Sequence, residues 1–105
     1  MLITKENTGL TQRDLDAIEK IFDSCAAVKE VWIFGSRAKG SYKPGSDIDL
    51  AIMNSGIELQ DLLFLQGKFE SSSLPYKLDV VNYQALKNKE LKEHIERVGK
   101  PFYKK

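Results

Sequence analysis

Two aspartates, Asp47 and Asp49, stand at i and i+2 in Asp-Ile-Asp-Leu-Ala-Ile-Met (47–53), a run that alternates at its start. Successive side chains of a strand point to opposite faces, so this spacing sends both carboxylates out of the same face, side by side. Like charges that close repel and raise a pKa unless a cation sits between them. The pair is therefore either a costly surface feature or a site for a hard divalent ion with oxygen ligands, Mg2+ being the ordinary choice. An exposed strand with two solvated aspartates is the bland alternative, and the residues upstream weigh against it. Gly35 and Ser36 carry little side-chain bulk, so a ligand can approach the backbone there, and the amides opening a following helical turn would offer positive partial charge to a phosphate. Arg37, Lys39 and Lys43 add full charges nearby.

Such residues need a sheet to hold them. Val31-Trp32-Ile33-Phe34 is a short apolar run rich in β-branched and aromatic side chains, which predicts a buried strand ending at Gly35. Because it is apolar on both alternating faces, something must cover each face, either a helix of this chain or a partner. Upstream, Thr11-Gln12-Arg13-Asp14 resembles a capping box with Asp in the usual Glu place. Leu15, Ile18, Ile21, Phe22 and Cys25 then recur at helical spacing. Residues 37–42 predict a short helix after the turn, ended by Pro44-Gly45 before the strand that carries the aspartate pair. Ile57, Leu59, Leu62, Leu63, Leu65 and Phe69 predict a third helix that closes between Ser71 and Pro75. A third strand covers 77–82, and Leu86, Leu91, Ile95 and Val98 predict a last helix stopping at Gly99 and Pro101. The expected order is αβαβαβα.

The bulk properties narrow the function classes. A chain of 105 residues with 42% hydrophobic content has the length of one domain, 1–105, with a single modest core. Sixteen basic against fifteen acidic residues leave a net charge of +1, so no global field drives the chain onto nucleic acid or an anionic membrane. The basic stretches lack the interleaved aromatics of a single-strand-binding platform, and no stable nucleic-acid binding is expected. The one cysteine, Cys25, excludes an intramolecular disulfide and a cysteine-based zinc cluster, and on an apolar stripe it reads as a small buried thiol. Charges at Lys5 and Glu6, without an apolar segment after them, argue against a leader, and no apolar run is long enough to span a bilayer. A cytoplasmic protein with no membrane association is the expectation. His94 reads as a solvated helix position and Trp32 as core rather than a base-stacking platform.

Gly35-Ser36-Arg37 followed by Ser46-Asp47-Ile48-Asp49-Leu50 resembles the Gly-Ser then Asp-x-Asp signature of the DNA polymerase β-like nucleotidyltransferase superfamily, in its minimal-domain branch. The resemblance extends over most of the chain. It implies an α+β domain in which a small mixed sheet carries helices mainly on one face. It also implies a third carboxylate on a later strand, a role that falls to Asp79 in Leu78-Asp79-Val80-Val81. The activity implied is transfer of a nucleoside monophosphate from a nucleoside triphosphate, usually ATP, to an acceptor hydroxyl, with pyrophosphate leaving. Asp47, Asp49 and Asp79 would be the catalytic and metal-holding residues, with two Mg2+ ions. Gly35, Ser36 and Arg37 would bind the nucleotide, Arg37 screening charge on the leaving group.

The acceptor is not written in the residues. Nothing in the chain is long enough to be the finger or thumb of a templated polymerase. Stand-alone minimal domains resemble one half of two-gene toxin–antitoxin systems whose other half is an all-helical HEPN protein, and family members can place AMP on that partner's tyrosine. A small-molecule transferase of the aminoglycoside-modifying kind is the alternative enzyme, and a subunit that neutralises a toxin by contact alone is the alternative from another class. Self-association remains open as well, since a leucine-rich third helix could leave apolar surface uncovered.

Overall fold

The computed structural model describes residues 8–105, so the reading based on Lys5 and Glu6 lies outside the described residues. Thr11 starts the first helix as expected. Its hydroxyl accepts from the Asp14 amide and the Asp14 carboxylate accepts from the Thr11 amide, each at 3.1 Å, which satisfies two of the donors a helix start leaves open. Helix α1 (Gln12–Asp23) follows, and its Ile18 and Phe22 are buried together with Cys25 just beyond its end.

Strand β1 (Glu30–Phe34), the single-turn helix α2 (Ser36–Lys39) and strand β2 (Ile48–Ile52) come next. They are followed by α3 (Leu59–Glu70), β3 (Leu78–Asn82), a 3-10 turn (Tyr83–Ala85), α4 (Lys89–Val98) and β4 (Lys100–Lys104). The mixed sheet has the order β3-β2-β1-β4, with β2 and β3 parallel and the other two pairings antiparallel. Its two faces differ in kind. Val31, Ile33, Ile48, Leu50, Ile52 and Leu78 point to the face covered by α1 and α3, forming one core with Ile18, Phe22, Leu65 and Phe69. The opposite face carries Trp32, Phe34, Ala51 and Val81, and α4 covers part of it through Leu91, Ile95 and Val98. A helix of the chain itself thus meets the demand for cover made by the doubly apolar β1.

Strand β4 corrects the expected order. The sequence reading ended the chain's regular structure at Gly99 and Pro101, because Lys-Pro-Phe-Tyr-Lys shows no alternation and proline reads as a stop. The strand forms at the sheet edge, where a missing proline N–H costs no ladder bond. The register passes from Tyr103 opposite Val31 to Pro101 opposite Trp32, so Phe102 is the extra residue of a bulge. Both Phe102 and Tyr103 are consequently buried, which no period-2 pattern could announce. Among the described residues no helix is long and apolar enough to cross a membrane.

Tyr103 ties this last strand to α1. Its ring lies 5.3 Å from that of Phe22, and its hydroxyl donates to the Asp23 carboxylate at 2.5 Å. Burial, followed by that bond, pushes the phenol above the ordinary tyrosine value of 10.0. The folded state therefore holds this proton more tightly than the unfolded chain does. The resulting stability is fully present below pH 10 and is lost as pH rises beyond it. Tyr103→Phe should cost about 2 kcal/mol in urea unfolding at pH 7, the worth of a hydrogen bond to a charged group. The same variant should flatten the loss of stability seen in the parent above pH 10.

Candidate active site

The ends of three strands meet at one edge of the sheet. Phe34, last in β1, is paired with Asp49 of β2, and Asp49 in turn is paired with Asp79 of β3. Asp49 and Asp79 share the α4 face of the sheet, and Asp47, one residue before β2 begins, lies close enough for its charge to act on Asp49. Asp49 occupies the middle and is half-buried, and its carboxyl is held above the usual range first by burial, then by Asp79, then by Asp47. The fields of His94 and Lys77 act in the opposite direction.

Gly35 shows how tightly turn and strand are joined. Its φ of +74° lies in the region that only glycine enters at low cost, and a Cβ built on it would collide with the Asp49 carboxylate. The turn thus presses directly on the central aspartate. No side chain caps the start of α2, which leaves its first amides available to an anion beside half-buried Ser36. A second turn, Lys43 to Ser46, returns the chain to β2. It is closed by the Ser46 amide on the Lys43 carbonyl at 2.9 Å and by the Lys43 amide on the Ser46 hydroxyl at 2.8 Å.

Arg37 is not where the sequence reading put it. Its side chain is only 2% exposed and points to the back of the loop. Nη1 donates to the Thr8 carbonyl at 2.7 Å, while Nη2 and Nε donate to the Ser46 carbonyl at 2.9 and 3.2 Å. The guanidinium also lies over the rings of Tyr42 and Tyr76, 5.2 and 4.8 Å from their centroids. These contacts clamp α2 to the residue preceding Asp47, so Arg37 holds the site's shape from behind. Lys39 and Lys43 are exposed on the loop. A cavity of about 410 Å³ between α1 and residues 73–76, lined by Thr11, Arg13, Asp14 and Tyr76 among others, contains none of the three aspartates.

Two residues join the site that sequence reasoning had not placed there. Lys77 stands two before Asp79, and that period-2 spacing was a legible signal. His94, expected on a solvated helix surface, is instead half-buried against Phe34, their ring centroids 6.1 Å apart at 79°. Only the packing of α4 across the sheet reveals this.

The carboxylates fit a divalent cation in charge and in chemistry. Three acidic side chains crowded at one sheet edge, the central one resisting ionisation, would be relieved by a positive ion. Among the described residues no three His, Cys, Asp or Glu side chains form a ready-made cage. A divalent cation held there by one or two carboxylates would complete its shell with water or ligand oxygens.

The family model for polymerase beta nucleotidyltransferases matches residues 16–105, and the chain belongs to that family. It is a nucleotidyltransferase of the minimal kind, and the family uses a divalent metal ion. The chain is 33% identical over 92 residues to the probable protein adenylyltransferase MntA of Haemophilus influenzae, covering 85% of this chain and 78% of that protein. A crystal structure of a toxin–antitoxin with AMP-PNP shares the fold, with a TM-score of 0.70 at 21% identity over 88% of this chain and 74% of that one. A mutant form of the toxin–antitoxin MntA–HpeT does so too, with a TM-score of 0.67 at 18% identity over 87% and 73%.

Two measurements check this account. Asp49→Asn should raise the thermal midpoint of the metal-free protein at pH 7, because Asn removes the central repelling charge. The folded Asp49 keeps its proton to higher pH than the unfolded chain does, so ionising it costs the folded state stability as pH rises. The gain from Asn should accordingly vanish as pH falls to about 4, a lower midpoint at pH 7 being the contrary result. Arg37→Met should cost about 3 kcal/mol in urea unfolding by stranding the Thr8 and Ser46 carbonyls. Unchanged stability with weakened nucleotide binding would instead place Arg37 at the front of the site.

Proposed function

We propose that the chain transfers AMP from ATP to a hydroxyl of a protein acceptor, a tyrosine of a helical HEPN-type toxin, and so acts as the antitoxin of a pair. The observation that carries the nucleotidyl-transfer part is the meeting of Asp47, Asp49 and Asp79 beside a glycine turn whose backbone abuts the central carboxylate. In this reading the Gly35–Ser36 turn seats the β and γ phosphates through amides and the Ser36 hydroxyl. Asp47, Asp49 and Asp79 would hold Mg2+, which when bound lowers the pKa of the acceptor hydroxyl and neutralises charge on pyrophosphate. Asp79, on the strand farthest from the turn, takes the acceptor side and receives the hydroxyl's proton.

The identity of the acceptor rests on different support. The Haemophilus influenzae relative is a probable protein adenylyltransferase, and two of the structures that share the fold are toxin–antitoxin proteins. An exposed apolar stripe on α3 favours a protein over a small molecule. Leu59, Leu63 and Phe64 are 71%, 64% and 42% exposed, and large solvent-facing side chains clustered on one helix are a common mark of an interface. The stripe belongs to the face of the sheet opposite the aspartates, so docking and chemistry would use separate surfaces.

Co-expression with a candidate helical HEPN-type toxin, followed by intact-mass measurement after Mg2+ and ATP, tests the proposal. The partner should gain the mass of AMP, and Asp47→Asn with Asp49→Asn should reduce the rate by at least about a thousandfold while leaving the complex assembled. A complex that forms and silences the toxin with no mass gain would support contact alone. Labelling of a small molecule in place of protein would support the small-molecule transferase.

A further inference from the structure

Helix α4 returns across the open face of the sheet with Ile95 buried, and Leu91 and Val98 partly buried, toward Phe34 and Ala51, and this stripe fixes the rotation of the helix. Its rotation brings His94 against Phe34. Phe34 is the residue just before Gly35 and the cross-strand partner of Asp49, so the imidazole stands where turn, strand end and central carboxylate meet. In sheet order the site runs from Asp79 on β3, through Asp49 on β2, to Phe34 and His94 on the β1 side. His94 is thus across Asp49 from Asp79.

We infer that His94 is a triphosphate-binding residue, its ring N–H donating to a phosphate of the nucleotide seated at the Gly35–Ser36 turn. The inference rests on the nucleotide-binding reading above and adds a donor to it. A triphosphate brought to three carboxylates needs positive or donating groups on its own side. Arg37 is turned to the back of the loop, and Lys77, two residues before Asp79, is on the acceptor side. That leaves His94 as the basic residue held by packing on the β1 side, beside the turn. An edge-to-face contact with Phe34 orients the ring and satisfies neither ring nitrogen. A hydrogen bond between an imidazole and a phosphate is charge-assisted, stronger than a neutral one, and it fits a group facing anionic oxygen.

His94 is the chain's sole histidine, so its imidazole resonances in 15N-labelled protein are unambiguous. Titration with Mg2+ and a non-hydrolysable ATP analogue should shift those resonances together with the Gly35 and Ser36 amides, whereas AMP should leave the ring unmoved. His94→Ala should weaken the triphosphate analogue about tenfold in calorimetry and leave AMP affinity unchanged, and His94→Gln, which keeps an N–H donor, should recover part of the loss. Turn amides that shift while the ring stays still would overturn the placement of His94 and leave the nucleotide site standing. No shift at either place would overturn both. Equal weakening of AMP and the triphosphate analogue would assign His94 to the nucleoside end and overturn the inference.

Discussion

Three carboxylates at the end of a small sheet repel one another, and much of the architecture consists of what holds them together despite that. Asp49 is the focus: it is half-buried, flanked by Asp47 along its own strand and by Asp79 on the next, and resists ionisation for all three reasons. Against it lies Gly35, with no side chain to keep the turn away. The close approach of glycine backbone to carboxylate puts the turn and the aspartate pair where one ligand would meet both. Neither could be shifted without disturbing the other.

Support comes from both sides of the loop. Behind it, the Arg37 guanidinium joins Thr8, α2 and Ser46 and is sandwiched near two tyrosine rings, so the segment entering β2 is held by a buried cation. Asp14, whose carboxylate completes the cap of α1, lies near Tyr76, whose phenol is held above its ordinary value first by burial and then by that carboxylate, so the first helix adjoins this cluster. In front, α4 covers the apolar part of the open face. Charge and apolar cover are therefore segregated along one face: Trp32, Phe34 and Ala51 under the helix, carboxylates at the edge.

The opposite face is closed by α1 and α3, yet α3 keeps Leu59, Leu63 and Phe64 toward solvent. The apolar surface expected from its leucine content is present there, while that expected over β1 is covered by α4. The exposed apolar surface of the described residues thus lies on the face opposite the aspartates.

Local spacing determined a good deal by itself. The strand that carries Asp49, the Thr11–Asp14 cap, the helix after it, the glycine turn after β1 and the Leu78–Asn82 strand all follow from periods and turn chemistry that act within a few residues. Three features were decided only by the tertiary structure. Arg37 looked like a phosphate-facing charge because its neighbours in sequence are the turn. Its direction depends on carbonyls of Thr8 and Ser46, which come together only in the folded loop. Strand β4 exists because β1 had an unpaired edge to offer a proline-containing segment, a condition set far away in the chain. His94 entered the site because the apolar stripe of α4 had to be buried on the second face of β1, and helix rotation then chose which neighbour of Ile95 would face Phe34. Sequence spacing could set directions along an element; which elements meet, and which edge or face they find, depended on burying surface that lies distant in the chain.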